Sequence, residues 1–183
     1  GATDLAILHA MKPVARQADG MKPLPQVAMR IPAEPAEDAC RAAGENRTGA
    51  GGNNNWSSSQ NWNTAAPAAS GDAVTFAGST RSTPNLDANY SVTGVAFAPA
   101  ASSFTIGSDN GSTLALSAGG GVVNNSANAQ TLNVPVTMGA AQTFDAAAGD
   151  LVVNQSLAKG GNLVTVTGAA HTVFAGAISE SGS

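Results

Sequence analysis

Two histidines, His9 and His171, one cysteine, Cys40, and six acidic residues beyond position 50 are the groups from which a reactive centre would have to be built. His171 with Asp145 or Asp150 and a serine would supply the parts of a hydrolytic triad. No Gly-x-Ser-x-Gly turn accompanies them to strain and expose a nucleophilic serine. Zinc needs three or four Cys, His or carboxylate ligands at workable spacing, and one Cys with two distant His does not provide them. Asp72, Asp87, Asp109, Asp145 and Asp150 stand singly along the chain, the pattern of residues that cap local turns rather than of a calcium loop. A polysaccharide-cleaving site would need clustered carboxylates or bases, and beyond residue 50 the bases are Arg81 and Lys159 alone. Gly119-Gly120-Gly121 lacks the Lys and the helix of a phosphate loop. These residues specify no catalytic centre, metal site or cofactor. The remaining group with binding chemistry is aromatic. Trp56, Trp62 and Tyr90 could stack on sugar rings, or alternatively close the end of a repeat array.

The elements that would position these residues follow from composition. The chain has 183 residues, 43% hydrophobic, 11% charged and 4% aromatic. Charge normally runs near a quarter of a globular domain, so small and polar residues fill the difference. A compact globule depends on large buried side chains to offset chain entropy. A solenoid does not, because each narrow coil buries small and β-branched residues against the next. Disorder is the competing account, but the apolar residues are patterned rather than scattered. A net charge of −4 argues against nucleic acid and anionic membrane surfaces as partners. No apolar run reaches transmembrane length, so no membrane insertion by this segment is expected.

Two halves differ sharply. Residues 1–50 contain five of the nine prolines, six of the eight bases and no aromatic residue. Met11-Lys12-Pro13-Val14 recurs there as Met21-Lys22-Pro23-Leu24. Prolines at this density break helices and strands alike. Residues 1–52 therefore read as a disordered Pro/Ala-rich leader or linker, with a short helix allowed over 33–43. Gly49 to Asn55 reads as a hinge, and residues 53–183 as the folded region.

After the hinge come short alternating runs, each closed by turn residues: Val74-Thr75-Phe76, Val92 to Phe97, Phe104-Thr105-Ile106, Leu114-Ala115-Leu116, Leu132 to Val136, Leu151-Val152-Val153 and Leu163 to Val166. Period-two alternation predicts strands. Ala129-Gln130-Thr131-Leu132 returns twelve residues later as Ala141-Gln142-Thr143-Phe144, and Gly149-Asp150-Leu151-Val152 returns as Gly161-Asn162-Leu163-Val164. A β-sandwich would also give short strands, but not such echoes, and its core wants larger residues. The expected fold is an all-β parallel β-helix.

Trp56-Ser57-Ser58-Ser59-Gln60-Asn61-Trp62, then Gly71-Asp72-Ala73-Val74-Thr75-Phe76, resembles the opening of bacterial autotransporter-associated β-strand repeat proteins. The runs Gly119 to Ser126, Ala129 to Val136 and Gly139 to Phe144 are similar to successive coils of that group, and Ala175 to Gly182 to its recurrent Gly-x-Ile-Ser-x-Ser-Gly phrase. The resemblance covers about residues 55–183. It implies a right-handed β-helix, secreted or carried on the bacterial outer surface, that spaces or presents a functional module without catalysis. It also implies a repeat region incomplete at its C-terminus, because further Leu-x-Lys-x-Gly repeats normally follow that phrase. The expected function is a structural stalk. The alternatives are a module that binds surface glycans through Trp56, Trp62 and nearby Asn, and a polysaccharide-active β-helix enzyme. Expected partners are further repeats of the same protein, surface glycans, or a second copy through an exposed solenoid end.

Overall fold

The computed structural model describes residues 44–180. The short helix allowed over 33–43, His9 and Cys40 lie outside the described residues, as does the rest of the leader up to residue 43. Thirteen strands follow in order: β1 (Glu45–Arg47), β2 (Ala73–Phe76), β3 (Tyr90–Phe97), β4 (Thr105–Ile106), β5 (Leu114–Asn124), β6 (Gln130–Leu132), β7 (Val136–Met138), β8 (Gln142–Ala146), β9 (Leu151–Val153), β10 (Leu157–Ala158), β11 (Val164–Gly168), β12 (Thr172–Phe174) and β13 (Ile178–Ser179). One 3-10 turn, Ser59–Asn61, is the sole helical piece among the described residues.

Every strand pairs in parallel with the strand one turn away, which makes a β-solenoid of about five turns. Its strands fall on three faces. The first carries β1, β2, the second half of β3, the second half of β5, β8 and β11. The second carries β4, β6, β9 and β12. The third carries the first halves of β3 and β5, then β7, β10 and β13. β3 and β5 each run round a corner, with a register shift between Val92 and Gly94. This bend joins the first and third faces into one nine-stranded sheet, and the second face is a separate four-stranded sheet.

Alternation decides what lies inside. On the first face, Val74, Val95, Val122 and Phe144 stack one above another at aligned positions, all at most 2% exposed. On the second, Ile106, Leu132 and Val153 do the same, and on the third Leu114, Val136 and Leu157. Each such side chain contributes about 1.5–3 kcal/mol on burial. Phe76 stacks on Phe97 at 5.4 Å, and Phe104 from the second face reaches both. Before the last coil, the large hydrophobic residues are therefore few and spent on one axial core.

The folded region begins earlier than the expected boundary at residue 53. β1 pairs in register with β2, Glu45 opposite Val74 and Arg47 opposite Phe76. Glu45 and Arg47 are 4% and 2% exposed, because their inward positions are served by polar partners rather than by apolar neighbours. Thr64 donates its hydroxyl to the Glu45 carboxylate, while Arg47 donates to the carbonyls of Arg81 and Asn54. The expected hinge is packed as well: the Gly51 N–H donates to the buried Asn61 Oδ1, and a Cβ at Gly51 would lie 2.7 Å from that oxygen.

The two ends of the stack differ. The outer edge of β1 is covered by residues 61–63, which run antiparallel to it through the Arg47–Trp62 bridge and the Asn63 N–H to Asn46 carbonyl bond. At the other end, no strand among the described residues pairs with the outer edges of β11, β12 and β13. The large hydrophobic residues found exposed, Leu163, Val166, Val173 and Ile178, all belong to this last coil.

Candidate functional site

Trp56 and Trp62 belong to the first coil, where the chain from 48 to 72 crosses the end of the core. Trp56 is 0% and Trp62 3% exposed. Their rings meet edge to face at 5.4 Å, Trp56 packs on Phe76 at 5.9 Å and on Tyr90 at 5.1 Å, and the Trp62 indole N–H donates to the Trp56 carbonyl. A sugar stacks only on an open aromatic face. Neither indole offers one: both rings are packed into the core at the end of the stack.

Tyr90 is half-buried and joins a polar tie across the same end. Its hydroxyl donates to Asp87 Oδ1 at 3.3 Å, and Ser57 donates both its N–H and its hydroxyl to the Asp87 carboxylate. Burial pushes the Asp87 pKa up, but the Ser57 hydroxyl and N–H and the Tyr90 hydroxyl outweigh it and hold the carboxyl below its ordinary value. Tyr90 is pushed up to about 12, first by burial and then by the Asp87 charge. This arrangement fixes the first coil to the second and activates no nucleophile.

His171 and Asp150 are brought together on the surface, Nδ1 to Oδ1 3.4 Å, one coil apart on the second face. Both are exposed, and no serine hydroxyl donates to or accepts from the imidazole. Asp145 lies on the outside of the first face, opposite Thr167. Two members of the candidate triad thus meet without a third. Asp72 is buried and caps its own turn, accepting from the Ala69 N–H at 2.6 Å. Among the described residues, no three His, Cys, Asp or Glu side chains converge as a metal group would require.

What sequence reading missed is polar and lies on or beside the second face. Aligned positions on successive turns carry Asn55, Asn85, Gly107, Asn133 and Asn154, the last four each following an inward residue. Neighbouring amides bond along this column: Asn85 Nδ2 to Asn55 Oδ1 at 3.0 Å, and Asn154 Nδ2 to Asn133 Oδ1 at 2.9 Å. At the glycine the column is interrupted, and there an open cleft of about 420 Å³ is lined by Asn54, Thr83, Asn85, Thr105, Gly107 and Asp109. The recoverable signal was an Asn recurring after Leu132 and Val153 at 21-residue spacing, in Asn133 and Asn154. The cleft itself depends on register, which no local motif reveals.

No family model, curated protein sequence or solved structure matches the chain.

Proposed function

We propose that this chain is a non-catalytic structural segment, a stalk-like portion of an exported surface or secreted repeat protein. The observation that carries the reading is the axial stack: about five parallel coils whose large side chains are committed to one core and whose outward positions hold small and polar residues. Six rungs on the first face, at about 4.8 Å each, make a rod segment of about 24 Å. Its stiffness would come from inter-coil hydrogen bonds that run along the axis and share any load between three faces. The buried amides of Asn124, Gln130 and Gln142 fasten the corners from one coil to the next. Export and surface location are supported by the resemblance of the Trp56–Trp62 and Gly71–Phe76 phrases, both of which lie in the first coil, and by the low charge. The same resemblance carries the right-handed sense of the helix.

The last coil, where no strand among the described residues pairs with the outer edges of β11 and β12, supports a role in which stacking continues against further β-structure, either more repeats or a second copy. Single-molecule pulling on the full chain tests the mechanical reading. Stepwise release of coils at forces above those of a loosely packed chain is expected. Turnover of a polysaccharide that disappears in Asp145→Asn or Asp150→Asn would replace the stalk with an enzyme.

A further inference from the structure

We infer that the cleft at Gly107 is a binding site for a neutral carbohydrate, distinct from the buried tryptophans and from the stalk role. The argument begins with the glycine. Gly107 does not have a positive φ, and a Cβ built on it would meet nothing within 4 Å. Backbone conformation and packing therefore give no reason for a glycine there. Contrast Gly121, whose φ of +65° and whose Cβ position 2.2 Å from the Thr143 carbonyl oxygen admit no side chain. Gly107 sits where the turns on either side place Asn85 and Asn133. Its effect is to remove one amide from the column and leave room for something else, as a strand glycine does where another group approaches the backbone.

The walls of that space are preset. Asn85 Oδ1 accepts from the Asp109 N–H at 3.0 Å while its Nδ2 is held by Asn55. Asn54 Nδ2 donates to Thr83 Oγ1 at 2.9 Å. Within this fixed frame, the Asp109 carboxylate and the Thr105 hydroxyl bond to no other side chain or backbone group among the described residues, and both are exposed to the cleft. A carboxylate and a hydroxyl at the rim of rigid amides match the alternating donors and acceptors of vicinal sugar hydroxyls. The cleft volume lies in the range of small-ligand sites. Among the described residues no cation lines it: Arg81 turns its guanidinium to the Gly49 carbonyl and to Asn54 Oδ1. A phosphate, sulfate or uronate would meet Asp109 without a counter-charge, so the ligand is neutral. An apolar ligand would cover the Asp109 carboxylate and the Thr105 hydroxyl without giving either a partner.

The test uses the full chain on an array of neutral oligosaccharides of glucose, mannose, galactose and N-acetylglucosamine beside uronate oligosaccharides, with calorimetric titration of any glycan captured. Capture of a neutral glycan is expected, weakened at least tenfold in Gly107→Asn, which restores the amide column, and in Asp109→Ala, which alters an exposed side chain. Both variants should keep the parent circular-dichroism spectrum and melting temperature. Absence of neutral-glycan binding, capture of uronates alone, or binding that survives Gly107→Asn within twofold would each overturn the inference. None of these outcomes bears on the mechanical behaviour of the stack.

Discussion

Gln130 and Gln142, twelve residues apart, open the second-face strand β6 and the first-face strand β8, with the third-face strand β7 between them, and make the same bond backwards to the preceding turn. Gln130 Oε1 accepts from the Phe104 N–H and Gln142 Oε1 from the Gly121 N–H, both at 2.8 Å. Their amide nitrogens donate to carbonyls at the same corner, Ser102 and Asn128 for Gln130, Leu116 and Ala118 for Gln142. Both side chains are at most 2% exposed.

Removing such an amide takes the partner from a buried N–H, at a cost of about 1–3 kcal/mol, and takes one donor from two carbonyls, of which Leu116 keeps the Gly139 N–H and Asn128 keeps Asn124 Nδ2. Gln142→Ala is therefore expected to lower unfolding free energy by about 2 kcal/mol or more in urea titration. Gln155→Ala, an exposed amide on the next turn, should change it by less than about 0.5 kcal/mol. Equal effects would mean that burial at the corner is not what holds the coils.

The same pair shows how far the sequence could be read. The echo at twelve residues was visible, but it reports a step across two faces, from the second past the third to the first, and not the length of a coil. The turn is set by register: Phe144 to Val166 on the first face spans 22 residues, Leu132 to Val153 on the second 21. Alternation around Val74, Leu132 and Leu151 was enough to predict strands and a solenoid, because inward positions there are apolar. It failed at Glu45 and Arg47, which are inward yet charged, since only the folded chain brings Thr64 and the carbonyls of Asn54 and Arg81 to them. The tryptophans were legible as members of the first coil, and their burial was not, because the loop from 48 to 72 that covers them has no periodicity.

The Asp87–Tyr90 tie should appear in the pH dependence of stability on both sides. Asp87 has a folded pKa below its ordinary 3.8. Its contribution is present above that value and is lost as pH falls through the folded pKa. Tyr90, raised from 10.0 to about 12, stays protonated in the fold where the unfolded chain ionises. Its contribution is full below pH 10 and is lost as pH rises towards 12. Thermal melts of Asp87→Asn should flatten the acid limb and, because the Asp87 charge helps raise Tyr90, shrink the alkaline limb. Those of Tyr90→Phe should remove the alkaline limb and only weaken the acid one, where Ser57 still holds Asp87. A variant that leaves both limbs unchanged would show that the tie contributes nothing to folding.

Gly121 tests the backbone of the corner. Alanine there must adopt a left-handed conformation and place its Cβ against the Thr143 carbonyl of the next coil. Strain of this kind costs about 1–3 kcal/mol before the clash is counted. Gly121→Ala is expected to lower the melting temperature by several degrees or to prevent folding, whereas Gly107→Ala should leave it unchanged. Similar melting temperatures for the two variants would contradict the register that places Gly121 beside Thr143.

The asymmetry of the ends leads to an expectation about association. An unpaired strand edge is a template for another chain, and β1 is shielded by residues 61–63 while β11 and β12 are not shielded by any strand among the described residues. Leu163 at 69% and Ile178 at 50% exposure flank one shallow groove at the last coil with Val164 and Lys159. Sedimentation velocity of the full chain should therefore show concentration-dependent association. Leu163→Lys with Ile178→Lys should shift it to monomer, because two added cations per copy would face each other across any contact that buries this groove. A control pair on the shielded end, Asn63→Lys with Thr64→Lys, should leave association unchanged, though it weakens the contact with Glu45. Association that follows the control pair and ignores the Leu163 and Ile178 changes would place the contact at the covered end and reverse this assignment of the open edge.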